Sequence, residues 1–269
     1  MQKIIFLGCL ALPAFLSPGL AAAATPCLLS GSADLVTVPA IARVGSGMVS
    51  VPDCSDLAVS RGQARALLRK PSGQGYYVDL SAGERLQDKL SESSSSGFFT
   101  RFRNMAKTLS EGNVTVQAGI KRDIVSDRVE GFPRGNVLAW KTPVSFNFLE
   151  ALPAIESFEL SDSEGRPIYQ TQELKGAFTL PAGLVQAGRS YQWQLSAGGK
   201  VFKGSFRTLD TAASAPLAEE LNRIEKDPAL NGGERKALAA MACDGAGLGF
   251  DRDRLMAEVV GRRNAPGMD

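Results

Sequence analysis

Two close carboxylate pairs, Asp162/Glu164 and Asp251/Asp253, are the residues with the most obvious potential for chemistry. Glycoside hydrolysis needs two carboxyl groups held across a cleft, one of them with a raised pKa. The surrounding residues favour humbler roles. Asp162-Ser-Glu-Gly165 reads as a solvent-facing turn, and Asp251 stands where the N-cap of a helix is expected. The chain contains no histidine, which excludes Ser-His-Asp and Cys-His nucleophilic sites, HExxH zinc sites and imidazole acid–base chemistry. No Ser-x-x-Lys or Walker A sequence occurs. Gly245-x-Gly-x-Gly249 follows a helical pattern rather than a strand, so it fails as a dinucleotide loop. No catalytic residue, metal ligand or cofactor is assigned, and the chain is expected not to be an enzyme.

The cysteines point to redox compartment rather than catalysis. Residues 1–24 combine Lys3, an apolar run from Ile4 to Leu16 and small residues ending Ala22-x-Ala24. That pattern predicts a cleavable export signal, too short in its apolar part to span a bilayer. Export places Cys27 and Cys54 in an oxidising compartment and predicts a disulfide between them. Cys243 lies in an alanine-rich stretch and is expected to pack as a small buried thiol.

These residues are carried by an alternation of strand and helix patterns. Residues 25–90 read as a small β module: Leu35–Val38, Gly47–Val51, Ala64–Arg69 and Tyr76–Leu80 are short runs bounded by Gly, Pro and Asp. In it Ala64, Ala66 and Leu68 face inward, while Arg65 and Arg69 face water. Of the adjacent Tyr76 and Tyr77, one is expected to be exposed. Residues 91–112 hold a Ser-rich linker and a basic amphipathic helix over Phe98–Leu109, with Phe98, Phe102, Met105, Ala106 and Leu109 on one stripe and Arg101, Arg103 and Lys107 elsewhere. Residues 113–210 return to strands, most sharply in Tyr191-Gln-Trp193-Gln-Leu195, and frequent turns predict an antiparallel sandwich. Trp140 is read as a core plug at its entry. Residues 211–269 switch to helices, with one ending near Asp227-Pro228 and a second starting at Asn231. The predicted fold class is therefore mostly β: a disulfide-stapled module, a β-sandwich and a helical C-terminal segment acting as a cap or docking element.

The order Leu184…Gly188…Tyr191-x-Trp193-x-Leu195, followed by Gly204-x-Phe206, resembles the late strands of fibronectin type III or immunoglobulin-like domains. More weakly, Leu57-x-Val59…Gly62…Leu67-Leu68…Ser72-Gly73…Val78-x-Leu80…Gly83…Leu86 is similar to the FecR-like domain of bacterial periplasmic proteins, which implies a periplasmic location. Together the resemblances imply envelope scaffolding or signalling rather than chemistry.

A formal net charge of +2 gives no reason to expect nucleic acid. Three readings follow. The first is a periplasmic interaction protein binding another envelope protein through Phe98, Phe102, Arg101, Arg103 and Lys107 or through the C-terminal helices. The second is a module binding peptidoglycan or another envelope polysaccharide through Tyr76 and Tyr77. A histidine-free carboxylate hydrolase is the most remote. Contact of the 98–109 helix with an anionic membrane is less favoured, because it carries only three cations.

Overall fold

The structure, a computed structural model, describes residues 24–35, 43–45, 47–90, 97–110, 132–138, 144–147, 155–174 and 177–261. The expected export signal short of Ala24, the Ser-rich run 91–96, the strand pattern at 113–116 and Trp140 lie outside these residues. Strands take 40% and helices 30% of the described residues. Helices are thus a major part of the architecture, and the expectation of a mostly β chain narrows to a mixed one.

The first sheet has the order β2-β1-β4-β5, with β3 also pairing with β1 (β1 Cys27–Leu35, β2 Arg43–Val44, β3 Val49–Val51, β4 Val59–Arg69, β5 Gly75–Ser81). All its pairs are antiparallel. The period of two separates its side chains into two cores. Cys27, Leu29, Ala64, Ala66, Leu68 and Leu80 pack on one face with Cys54, Leu57 and Leu86 from the following loops. Leu28 and Leu67 point the other way, into a core shared with helices. The Cys27–Cys54 disulfide forms as expected, with the Cα atoms 6.1 Å apart.

Helix α1 (Gly97–Ser110) and three C-terminal helices, α2 (Thr211–Lys226), α3 (Gly232–Gly245) and α4 (Gly249–Gly261), cover that second face. Two of the starts are capped by side chains. The Asp210 side chain accepts from the Ala213 N–H at the head of α2. Asn231 and Glu234 form a reciprocal capping box on α3. Asp227 closes α2 and its carboxylate accepts from the Ala229 N–H, so the chain turns at Asp227-Pro228 as the sequence predicts. Asp251 departs from expectation. Helix α4 begins at Gly249, and Asp251 is fully buried inside its first turn, where it accepts the Leu138 N–H at 2.8 Å. It holds a strand of the second sheet rather than capping its own helix.

The second sheet has the order β6-β12-β11-β8-β9 (β6 Gly135–Val137, β8 Ile155–Asp162, β9 Pro167–Leu174, β11 Ser190–Ala197, β12 Lys200–Thr208). Strand β6 runs parallel to β12 and the other neighbours are antiparallel. Strands β7 (Val144–Asn147) and β10 (Ala177–Leu180) form a separate two-stranded ribbon. Tyr191, Trp193 and Leu195 are buried on one face while Gln192 and Gln194 are exposed, as the alternation predicts. Gly204 lies directly under the Trp193 indole, where any Cβ would collide with the ring, and the indole N–H donates to the Pro133 carbonyl at 2.9 Å.

Replacing both Cys27 and Cys54 by serine should lower stability by about 3.5 kcal/mol for a closed loop of this length. The check is the urea-unfolding free energy of the double variant against the oxidised parent. A loss under about 1 kcal/mol would mean that strand pairing of β1 with β3 holds the loop without the crosslink.

Candidate functional site

The densest chemistry lies in the seam between the first sheet and the C-terminal helices. Ser30, Arg65 and Asp79 are opposite one another on β1, β4 and β5, so their side chains form one row on the helix-facing surface. Arg65 was expected to face water. Instead it faces the helices, because these cover that side of the sheet. Its Nε and Nη2 donate to the two Asp79 carboxylate oxygens at 2.6 and 3.2 Å. Its Nη1 donates to Glu234 Oε2 at 2.8 Å and also to the Ala229 carbonyl. Glu234, 4% exposed, takes the Ser30 hydroxyl on its other oxygen and the Asn231 N–H at 2.9 Å. One carboxylate therefore both caps α3 and neutralises the arginine of the central strand.

Tyr77 joins the same seam. Its ring lies 4.5 Å from the Arg65 guanidinium carbon, and its hydroxyl donates to Asp227 at 3.2 Å. Burial, and then the Asp227 carboxylate, raise the phenol above its ordinary pKa. Tyr76, on the opposite face, packs against the other core. Both tyrosines are half-buried and committed to the fold, which corrects the expectation that one is exposed for a saccharide.

A second node gathers three arginines on Asp244 at the end of α3. Arg252 reaches it at 2.7 Å, Arg69 at 3.0 Å and the more exposed Arg101 at 3.4 Å. Arg69, like Arg65, departs from the expected solvent orientation for the same reason. The close approach that permits this is glycine on glycine: a Cβ on Gly73, whose φ is +95°, would meet the Gly245 Cα at 2.6 Å.

The residues proposed for partner binding divide. Phe98 and Phe102 are 0% and 2% exposed and sit in the core of α1 with the C-terminal helices, so they are unavailable to a partner. Phe99 is buried as well, which uses both sides of the first helical turn for packing. Arg101 and Arg103 are exposed. Arg103 borders a shallow cavity of about 200 Å³ shared with Pro26, Ser50, Pro52, Phe99 and Thr100 beside the disulfide. The Lys107 side chain lies outside the described residues. Sequence reasoning missed Glu234 and Asp244, which read as ordinary helix-terminal acids. The Asn231-x-x-Glu234 capping spacing was the signal for the first.

The carboxylate pairs behave as turn and helix residues. Asp162 accepts from the Arg166 N–H at 3.0 Å, the Arg166 Nε at 2.8 Å and the Glu164 N–H at 2.9 Å, which together hold its pKa down. Asp253 pairs with Arg252 at 2.7 Å. Among the described residues no group of three or more Cys, Asp or Glu is placed to hold a metal, and no helix is long and apolar enough to cross a membrane. Cys243 is free and fully buried, and burial pushes its thiol up to about 12.

Two measurements test this assignment. Glu234→Gln keeps a capping acceptor but removes the charge facing Arg65, and should lower the unfolding free energy by about 2–3 kcal/mol; Glu234→Ala should cost about 1 kcal/mol more. Equal effects would assign Glu234 to capping alone. For Cys243 the folded thiol titrates above the unfolded one, at 9.0, so its contribution is fully present below pH 9 and declines as pH rises toward 12. Unfolding curves between pH 8 and 11 should show that decline, and Cys243→Ala should flatten it.

Against known proteins, the chain matches no family model and no curated sequence. The site is therefore read from its own residues, which hold two β units in place around a helical cap.

Proposed function

We propose that this is an exported, non-enzymatic interaction protein of the cell envelope, acting in the periplasm as a scaffold for another envelope protein. The observation that carries the reading is the use of its best-buried charges. Arg65 with Glu234 and Arg69 with Asp244 fix the helical cap to the first sheet, Asp251 ties it to the end of β6, and Arg252 with Asp244 joins two of its helices. Such a frame mounts the second sheet rigidly and leaves its solvent-facing side and edge as the display surface.

The disulfide supports an oxidising compartment. An immunoglobulin-like character for residues 113–210 is supported by the strand order β6-β12-β11-β8-β9 with its parallel first pair, and by the separate β7–β10 ribbon. It is supported too by Tyr191, whose hydroxyl accepts the Gln186 N–H five residues upstream at 2.8 Å, the geometry of a tyrosine corner. The first module's likeness to FecR-like domains rests on its residue order from Leu57 to Leu86, which runs through β4 and β5. Both likenesses point to binding rather than turnover.

The test is crosslinking in intact cells with a C-terminally tagged full chain, followed by mass spectrometry. One dominant envelope protein is the expected adduct. Sedimentation with the cell wall and no protein adduct would replace this reading with polysaccharide binding.

A further inference from the structure

We infer that the outer edge of β12, over Lys200–Ser205, is a strand-addition site for an extended acidic segment of a partner protein. This deepens the interaction reading above and rests on it for the identity of the compartment only.

Backbone parity carries the first part. The Thr208 N–H donates to the Arg189 carbonyl at 2.9 Å on the β11 side, while the Leu209 N–H donates to Val137 of β6 at 2.9 Å on the other. Even-numbered residues of β12 therefore bond to β11, and odd-numbered ones turn their N–H and C=O groups outward. Strand β6 meets that outward side only at Phe206–Thr208. Among the described residues no strand pairs with β12 over Lys200–Ser205, and the outward N–H groups of Val201, Lys203 and Ser205 have no partner among them. The Lys203 carbonyl takes Arg134 Nη2 at 3.5 Å, which marks the direction of the edge.

Side chains supply the specificity. Val201, 55% exposed, is the exposed large hydrophobic residue of the described chain. Lys200, Lys203 and Arg207 are exposed along the same strand, and Arg134 borders it. The acids near this strand are already engaged: Glu156 accepts the Gly199 N–H at 3.1 Å in the β11–β12 turn, and Glu159, beyond β11 opposite Gln194, is engaged by Ser161 and Gln170. An incoming strand would thus extend the sheet through its backbone, place an apolar side chain beside Val201 and set carboxylates beside Lys203 and Arg207. The first sheet manages its edge differently: on β5, Lys89 Nζ donates to the Asp79 carbonyl at 2.9 Å, a charged blunting of the open groups.

The experiment titrates the purified, oxidised full chain with a fluorescent peptide of about twelve residues alternating valine or threonine with glutamate, and with its lysine counterpart. The expected result is binding of the acidic peptide at least about tenfold tighter than the basic one, weakening with salt. Amide NMR shifts should centre on Val201, Lys203 and Ser205. Val201→Pro removes one outward N–H without touching the β11 ladder and should weaken binding about tenfold. Lys203→Glu, which leaves the backbone intact, should lose the preference for the acidic peptide. No binding, equal binding of both peptides, or full binding by Val201→Pro with its fold intact overturns the site. An envelope adduct in cells alongside a failed titration would sink this edge and leave the scaffold reading. A sound titration without such an adduct would do the reverse.

Discussion

The pairing of Arg65 with Glu234 is the contact on which the arrangement of the protein depends. Arg65 sits mid-strand on a surface that α3 covers, and a buried guanidinium without a counter-charge would be costly. Glu234 meets it with one oxygen and Ser30 with the other, so both partners keep their hydrogen bonds out of water. The same carboxylate closes the capping box of α3. The position of that helix on the sheet and its N-terminal stability are therefore set by one side chain. Tyr77 and Asp227 extend the polar row to the end of α2, which brings the connection between two helices into the same network. Apolar burial from Leu28, Leu67, Phe98, Leu238 and Met241 supplies most of the adhesion. It is not directional, and the polar row gives it its register.

The other end of α3 repeats the device with opposite emphasis. There a single acid, Asp244, draws arginines from β4, α1 and α4, and the backbones of Gly73 and Gly245 touch. Arginine suits this place because its planar fork can serve several acceptors while its stem packs against apolar neighbours. Helix α4 then reaches across to the second sheet, where Asp251 accepts the Leu138 N–H and Phe250 packs against the core around Trp193. The chain ends its fold by tying its first and second β units together, so the helical segment is the structural centre despite coming last in the sequence.

This placement explains where binding chemistry can sit. The phenylalanines of α1 and Tyr77 of β5, which resemble a recognition surface in the sequence, are turned inward by the cap. Among the described residues, those that stay exposed include Gln192 and Gln194 on the solvent face of the second sheet, Val201 and Lys203 of β12 and the outward arginines of α1.

Local patterns were legible in the sequence wherever one element decides its own structure. The alternation of Tyr191, Trp193 and Leu195, the turn at Asp162–Gly165, the helix break at Asp227-Pro228 and the start at Asn231 depend on periodicity and short-range hydrogen bonds. The Cys27–Cys54 pairing followed from an oxidising context and the number of thiols available. The facing of Arg65 and Arg69, the burial of Phe98 and Phe102 and the place of Asp251 were not legible. An amphipathic strand shows which residues share a face, but not whether water or a helix more than 160 positions away covers it. For Arg65 that partner is Glu234, and only the folded chain brings them together; the tertiary structure decided which charges became interior.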